Sequence, residues 1–115
     1  MTRVVLRIDF DDERYIGHGR IELLERIGKS GSIAQAAKAM GMSYKRAWYL
    51  VDTFSAMFTE PLVERQQGGK GGGAASLTPF GAQLVRQYRA MEKKALKEFA
   101  GSIATLARKL ADPKP

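Results

Sequence analysis

The apolar positions of this chain fall into short periodic runs, and the most regular of them lie between Ser30 and Phe58, SGSIAQAAKAMGMSYKRAWYLVDTFSAMF. Ile33, Ala37 and Met40 recur at helical spacing. After a break, Ala47, Leu50, Val51, Phe54 and Phe58 fall on one side of a second rod at about 100° per residue. The pattern predicts two short helices joined by a tight turn. Ser32 with Gln35 three residues later fits a capping box. Gly41 is a C-terminal stop, since glycine takes a left-handed backbone without penalty, and Ser43 caps the second helix. Ala34, Ala36, Ala37 and Ala39 are small enough to let the two axes approach closely.

The same reading covers the remainder. Val4, Leu6, Ile8 and Phe10 alternate as one side of a strand over Arg3 to Phe10, followed by an acidic turn with Asp11, Asp12 and Glu13. Gly17-His18-Gly19 breaks the chain. Ile21, Leu23, Leu24 and Ile27 then predict a helix from about Arg20 to Gly28, ended by Gly28 and Gly31. Leu62 to Arg65 reads as a short strand, Gln66 to Gly73 as a glycine-rich loop holding Lys70, and Ala74 to Leu77 as the returning strand of a hairpin, or wing. Thr78 caps a last helix with Pro79 in its first position. There Phe80, Leu84, Tyr88, Met91, Ala95, Phe99, Ile103, Leu106 and Leu110 form one apolar stripe along some thirty residues, roughly 45 Å if unbroken. So small a domain cannot cover that stripe, so its distal part is expected to pair with a second copy, as coiled-coil seams do. Gly101-Ser102 could interrupt it, with Ser102 capping a separate short helix. The expected fold is mainly α with a small β-hairpin: a winged helix-turn-helix over residues 1–78, a long C-terminal dimerisation helix over 79–111, and a frayed tail at 112–115.

Composition narrows the function. With 19 Lys and Arg against 12 Asp and Glu, the formal charge is +7 and the pI about 9.9, which suits a nucleic-acid partner. The absence of cysteine excludes disulfides and thiolate zinc sites. No apolar run is long enough to span a bilayer and no signal peptide is legible, so no membrane partner is expected and the cytoplasm is the expected compartment.

Candidate chemistry lies on the second rod of the central pair. Opposite its core stripe stand Tyr44, Lys45, Trp48, Tyr49 and Asp52, an aromatic and basic face beginning at the helix N-terminus. A helix-turn-helix places such residues against base edges in the major groove of double-stranded DNA. An ordinary helical hairpin with an aromatic protein-binding face is the competing interpretation, and a helix-face tryptophan such as Trp48 more often belongs to the core. Other chemistries fit poorly. The acidic turn lacks the spacing of a calcium loop. Lys70 is followed by Gly71 rather than the Ser or Thr of a P-loop. His18 is the only histidine, and no nucleophile, paired carboxylates or metal-ligand set is visible, so neither an enzyme nor a cofactor is expected.

Several runs also resemble a known family. They are Gly19-Arg20-Ile21, Gly31-Ser32-Ile33, Gly41-Met42-Ser43-Tyr44-Lys45, Ala47-Trp48, Leu62-Val63-Glu64-Arg65, Gly68-Gly69-Lys70-Gly71-Gly72-Gly73 and Leu77-Thr78-Pro79-Phe80-Gly81. Over about residues 3 to 100 the chain resembles the N-terminal DNA-binding domain of the molybdate-responsive ModE regulators, and more distantly the winged helix-turn-helix of LysR-type regulators. The resemblance implies a transcriptional regulator that binds a palindromic operator as a homodimer. Members of that family carry C-terminal oxyanion-binding domains; this sequence stops at Pro115, so direct molybdate binding is not expected of it.

Roles follow from position and side-chain type. Ser43 and the first free amides of the helix should anchor a phosphate. Lys45 and Arg46 can bond phosphates or guanine O6 and N7. Tyr44, Trp48 and Tyr49 can supply phosphate hydrogen bonds or apolar contact with thymine methyls. Arg65, Lys70 and Thr78 should touch the backbone or the minor groove.

Overall fold

A computed structural model describes residues 2–66 and 74–113. Its elements run β1 (Ile8–Asp9), β2 (Tyr15–Ile16), α1 (His18–Ser30), α2 (Ile33–Ala39), α3 (Tyr44–Ser55), β3 (Val63–Arg65), β4 (Ala75–Leu77), α4 (Pro79–Glu98) and α5 (Ala100–Ala107). This is a mainly helical winged helix-turn-helix with a long C-terminal arm.

The central helix pair forms for local reasons. Ser32 Oγ accepts from Gln35 N at 3.1 Å, and Ser43 Oγ accepts from Arg46 N at 3.0 Å. The capping box is closed differently from expectation: Ser32 N donates to Ser30 Oγ at 3.2 Å, so a neighbouring serine rather than Gln35 supplies the return bond. Gly31 and Gly41 hold φ of 70° and 69°, the left-handed backbone that ends α1 and turns α2 into α3.

Two apolar clusters make the core. One joins Leu23, Ile27, Ile33, Ala36, Ala37, Ala47, Val51 and Ala75, with Trp48, Leu50, Val63 and Leu77 against it. The other joins Ile16, Ile21, Leu24, Phe54, Leu62, Leu84 and Tyr88. The first half of α4 is therefore built into the core. Tyr88 is fully buried and its hydroxyl donates to the Leu6 carbonyl at 2.7 Å, tying the arm to the N-terminal segment. Burial also pushes the Tyr88 phenol above its ordinary pKa. Gly81 sits where a Cβ would stand 2.2 Å from the Leu62 carbonyl oxygen, so only glycine lets α4 come this close to the strand entry.

The wing pairs antiparallel with Val63 opposite Leu77, Glu64 opposite Ser76 and Arg65 opposite Ala75. Ala75 N donates to the Gly31 carbonyl at 2.9 Å, which stitches the hairpin to the α1–α2 turn. The loop residues 67–73, with Lys70, lie outside the described residues.

Several expectations need correction. The N-terminal strand is only two residues long and pairs with Tyr15–Ile16, a partner strand that the periodicity did not predict. Phe10 is not on the covered side but 56% exposed, because the acidic turn carries it past the edge of the core. His18 and Gly19 belong to α1 and Gly28 lies inside it; a Cβ at Gly28 would stand 3.1 Å from Leu77, so that glycine serves the close packing of the wing rather than the helix end. α3 stops at Ser55, and Phe58 joins the second cluster from the loop beyond. The C-terminal helix changes course at Phe99 rather than Gly101-Ser102. There φ is −97° and ψ 7°, yet Phe99 N still bonds Ala95 O and Ile103 N bonds Phe99 O, so the ladder resumes across a kink and Ser102 lies within α5 instead of capping it.

Candidate nucleic-acid interface

The exposed side of α3 is organised by its N-terminus. Ser43 accepts the Arg46 amide, which leaves the Tyr44 and Lys45 amides without an intrahelical partner and pointing out of the helix start. With the positive end of the helix dipole, these make a local site for an anion. Tyr44 and Tyr49 are exposed, by 43% and 58%, on successive turns, and Lys45 and Arg46 are exposed beside them. The Arg46 guanidinium lies 5.6 Å from the Tyr49 ring centroid. The site therefore offers two amides, two phenols and two cations on one edge.

Trp48 takes an intermediate place. One part packs on the core, and the Tyr44 ring meets it edge-on at a centroid distance of 6.0 Å. The Arg65 guanidinium, from the last residue of β3, lies over the ring 3.0 Å from its centroid. Arg65 Nη2 also donates to Asp52 Oδ1 at 3.4 Å. Trp48 is thus both core wall and platform, and the base of the wing is joined to α3 through it.

The structure brings Ser43, Tyr44, Lys45, Arg46, Trp48, Tyr49 and Arg65 to one surface. It does not bring the Thr78 side chain there. Thr78 is 5% exposed, donates to Pro61 O at 2.7 Å and accepts from Gly81 N at 2.9 Å, so its hydroxyl is committed to capping α4. The hydroxyl thereby joins the start of α4 to the segment that leads into the wing. Lys70 falls outside the described residues. Asp52 was visible in the sequence on the same helix face but received no role. Its i,i+4 spacing from Trp48 was the available signal, while its partner Arg65 comes from another element.

A second charged surface lies between α1 and α4. Arg89 donates to both oxygens of Glu25 at 2.6 and 2.9 Å and to Glu92 Oε1 at 2.6 Å. These bonds from Arg89 hold the Glu25 carboxyl below its ordinary pKa and push Arg89 up. His18 lies 3.2 Å from Glu22 Oε1, and Glu22 also accepts from Arg26 at 2.9 Å, which lowers the Glu22 carboxyl. Among the described residues no group of three or more acidic or histidine side chains is arranged to hold a metal ion, and no helix is long and apolar enough to cross a membrane.

Comparison with known proteins agrees with this geometry. Residues 18–82 match the bacterial regulatory helix-turn-helix proteins of the LysR family. The chain is 43% identical over 93 residues to the molybdenum transport protein ModE of Azotobacter vinelandii, covering 79% of this chain and 34% of that protein. It is 40% identical over 87 residues to the DNA-binding transcriptional dual regulator ModE of Escherichia coli K12, covering 76% and 33%. It is also 44% identical over 77 residues to the molybdenum-pterin-binding protein MopB of Rhodobacter capsulatus, covering 67% and 28%. The chain thus spans about a third of the length of these relatives. In fold it is similar to the CbnR_DBD-DNA complex, with a TM-score of 0.60 at 19% identity over 76% of this chain and 95% of that one. It is also similar to Streptococcus pneumoniae FabT in complex with DNA, with a TM-score of 0.56 at 15% identity over 81% and 69%. A helix-turn-helix closed by a short hairpin, matched over more than half its length, means that this chain belongs to the LysR family of bacterial regulatory helix-turn-helix proteins.

Proposed function

We propose that this chain is the DNA-reading part of a transcriptional regulator of the ModE type, binding a palindromic operator as a homodimer in the setting of molybdenum metabolism. The observation that carries the reading is the exposed edge of α3. Two free amides, Tyr44, Lys45, Arg46 and Tyr49 stand together there on a domain whose sequence carries a charge of +7. In this reading the helix start and Ser43 anchor a phosphate, Lys45 and Arg46 bond phosphates or guanine edges, and the tyrosines reach phosphates or thymine methyls. Trp48 contributes chiefly as the platform beneath Arg65. Arg65 and Lys70 engage the backbone beside the groove.

Dimerisation is supported by the outer arm. Met91, Leu96, Phe99, Leu106 and Leu110 are 39% to 77% exposed along it, an apolar stripe that a single copy does not cover. A two-fold pair would set its α3 helices about 34 Å apart, one DNA turn, or a multiple of it.

The test is a salt titration of binding to a labelled random duplex, followed by selection of preferred sites from a random library. Affinity falling steeply with salt and one enriched palindrome are the expected results. Salt-insensitive binding, or no enriched sequence, would refute the reading. Sedimentation giving a monomer at high micromolar concentration would remove the homodimer.

A further inference from the structure

The geometry points to a role for Asp52 that rests on the DNA reading above: it is a positioning residue that aims Arg65, and through Arg65 it sets sequence preference. Asp52 is the one carboxylate on the whole of α3, and it sits on the helix's outer edge, in line with Tyr44, Trp48 and Tyr49. A bare carboxylate on a face presented to phosphates repels them. Its presence calls for a use, and the structure supplies one. Asp52 Oδ1 takes Arg65 Nη2 at 3.4 Å while the guanidinium lies over Trp48, 3.0 Å from the ring centroid. Tyr44 meets the same indole in a T-shaped contact at a centroid distance of 6.0 Å.

The stack Tyr44–Trp48–Arg65–Asp52 therefore restrains a flexible side chain at two points, its Trp48 contact and its Asp52 bond. Among the described residues, Arg65 Nε and Nη1 donate to no protein group, and the side chain is 56% exposed. Each forked edge of a guanidinium includes Nη2, so with one Nη2 hydrogen given to Asp52 the other Nη2 hydrogen and its neighbouring N–H leave one edge for bidentate recognition of a guanine edge or a phosphate, which a freely rotating arginine makes less well. The wing base and the reading helix then act as one unit, because Arg65 is also the last residue of β3. The ion pair itself is exposed and contributes little to folding. Its value lies in orientation, and the carboxylate at the same time weakens attraction to duplexes in which Arg65 finds no partner.

Two measurements test this. Trp48 is the only tryptophan, so its emission reports the stack in the free protein. Arg65→Ala should shift that emission, Asp52→Asn should shift it the same way to a smaller extent, and Asp52→Glu should restore the wild-type spectrum. Emission unchanged in both Asp52→Asn and Arg65→Ala would overturn the positioning claim whether or not the protein binds DNA. The second measurement compares affinity for the selected palindrome and for random duplex. Asp52→Asn should weaken the first by about three- to tenfold and leave the second equal or tighter, with no effect on the palindrome in an Arg65→Ala background. Tighter binding to both duplexes would mean that Asp52 only repels, and loss of preference at a single C·G pair retained without Arg65 would mean that it reads cytosine; either overturns the inference. Absence of salt-dependent binding by the wild type would instead sink the DNA reading, leaving the emission spectra to decide the stack.

Discussion

Two charged surfaces of this molecule use the same residue types to opposite ends. Between α1 and α4, Arg89 spends its donors on Glu25 and Glu92, and Arg26 is spent on Glu22. On the edge of α3, Lys45 and Arg46 stand exposed, and Arg65 spends one nitrogen on Asp52. The first surface is electrostatically finished and holds the arm on the domain. The second is left open, and an open row of donors is what a polyanion needs. Formal charge alone would not separate them; what separates them is how many carboxylates lie within reach of the cations, three (Glu22, Glu25 and Glu92) on the first surface and Asp52 on the second.

The harshest way to break this contrast is to disturb the frame that holds both surfaces. Gly81→Ala would drive a methyl into the Leu62 carbonyl, and the expected loss is about 3 kcal/mol of stability, read as a fall in urea midpoint, with DNA affinity lost as the wing shifts.

Arg89→Ala attacks the finished surface alone. It leaves two carboxylates partly buried without a cation, and stability should drop by about 1–3 kcal/mol while DNA affinity of the folded protein stays unchanged. The pH dependence sharpens the point. Glu25 has its folded pKa held below the ordinary 4.5, so its stabilising contribution is complete above that value and is lost as pH falls through the lower, folded value. Wild type should therefore lose stability on acidification below about pH 4.5 more steeply than Arg89→Ala, as thermal melts across pH would register.

Lys45→Ala attacks the open surface. Binding to the selected palindrome should weaken by roughly 1–3 kcal/mol with unchanged melting temperature, and the preference at one base pair should relax if Lys45 reads a base. Lys70→Ala should have the smallest effect: a uniform weakening across sequences, with the salt slope lower by about one unit in anisotropy titrations.

Much of this was legible beforehand, but unevenly. The caps at Ser32, Ser43 and Thr78 were readable because each cap's partner lies three residues away. The buried face of α3, with Ala47, Val51 and Phe54, followed from period alone. The exact kink was not legible: Gly101-Ser102 looked like the weak point, but the break falls at Phe99, on a stretch of the arm beyond the last buried residue of α4, Tyr88, where no core holds one axis. Thr78 was drawn to the DNA surface by its neighbourhood in sequence, whereas its side chain points at Pro61 O. Arg65 was assigned to DNA without its platform, since nothing in a β-strand's sequence says which indole it will cross.

What the sequence determined by itself is therefore the set of elements, the turn glycines, the charge balance and the outward edge of α3, all consequences of interactions spanning a few residues. What only the tertiary structure decided is which charges are spent. Glu25 and Arg89 are 64 positions apart, and Tyr88 and Leu6 are 82 apart, so their pairing depends on where the chain returns. The physical reason is range: backbone propensity and capping act within a turn or two, while a side chain's partner is set by packing between elements that the local pattern does not locate.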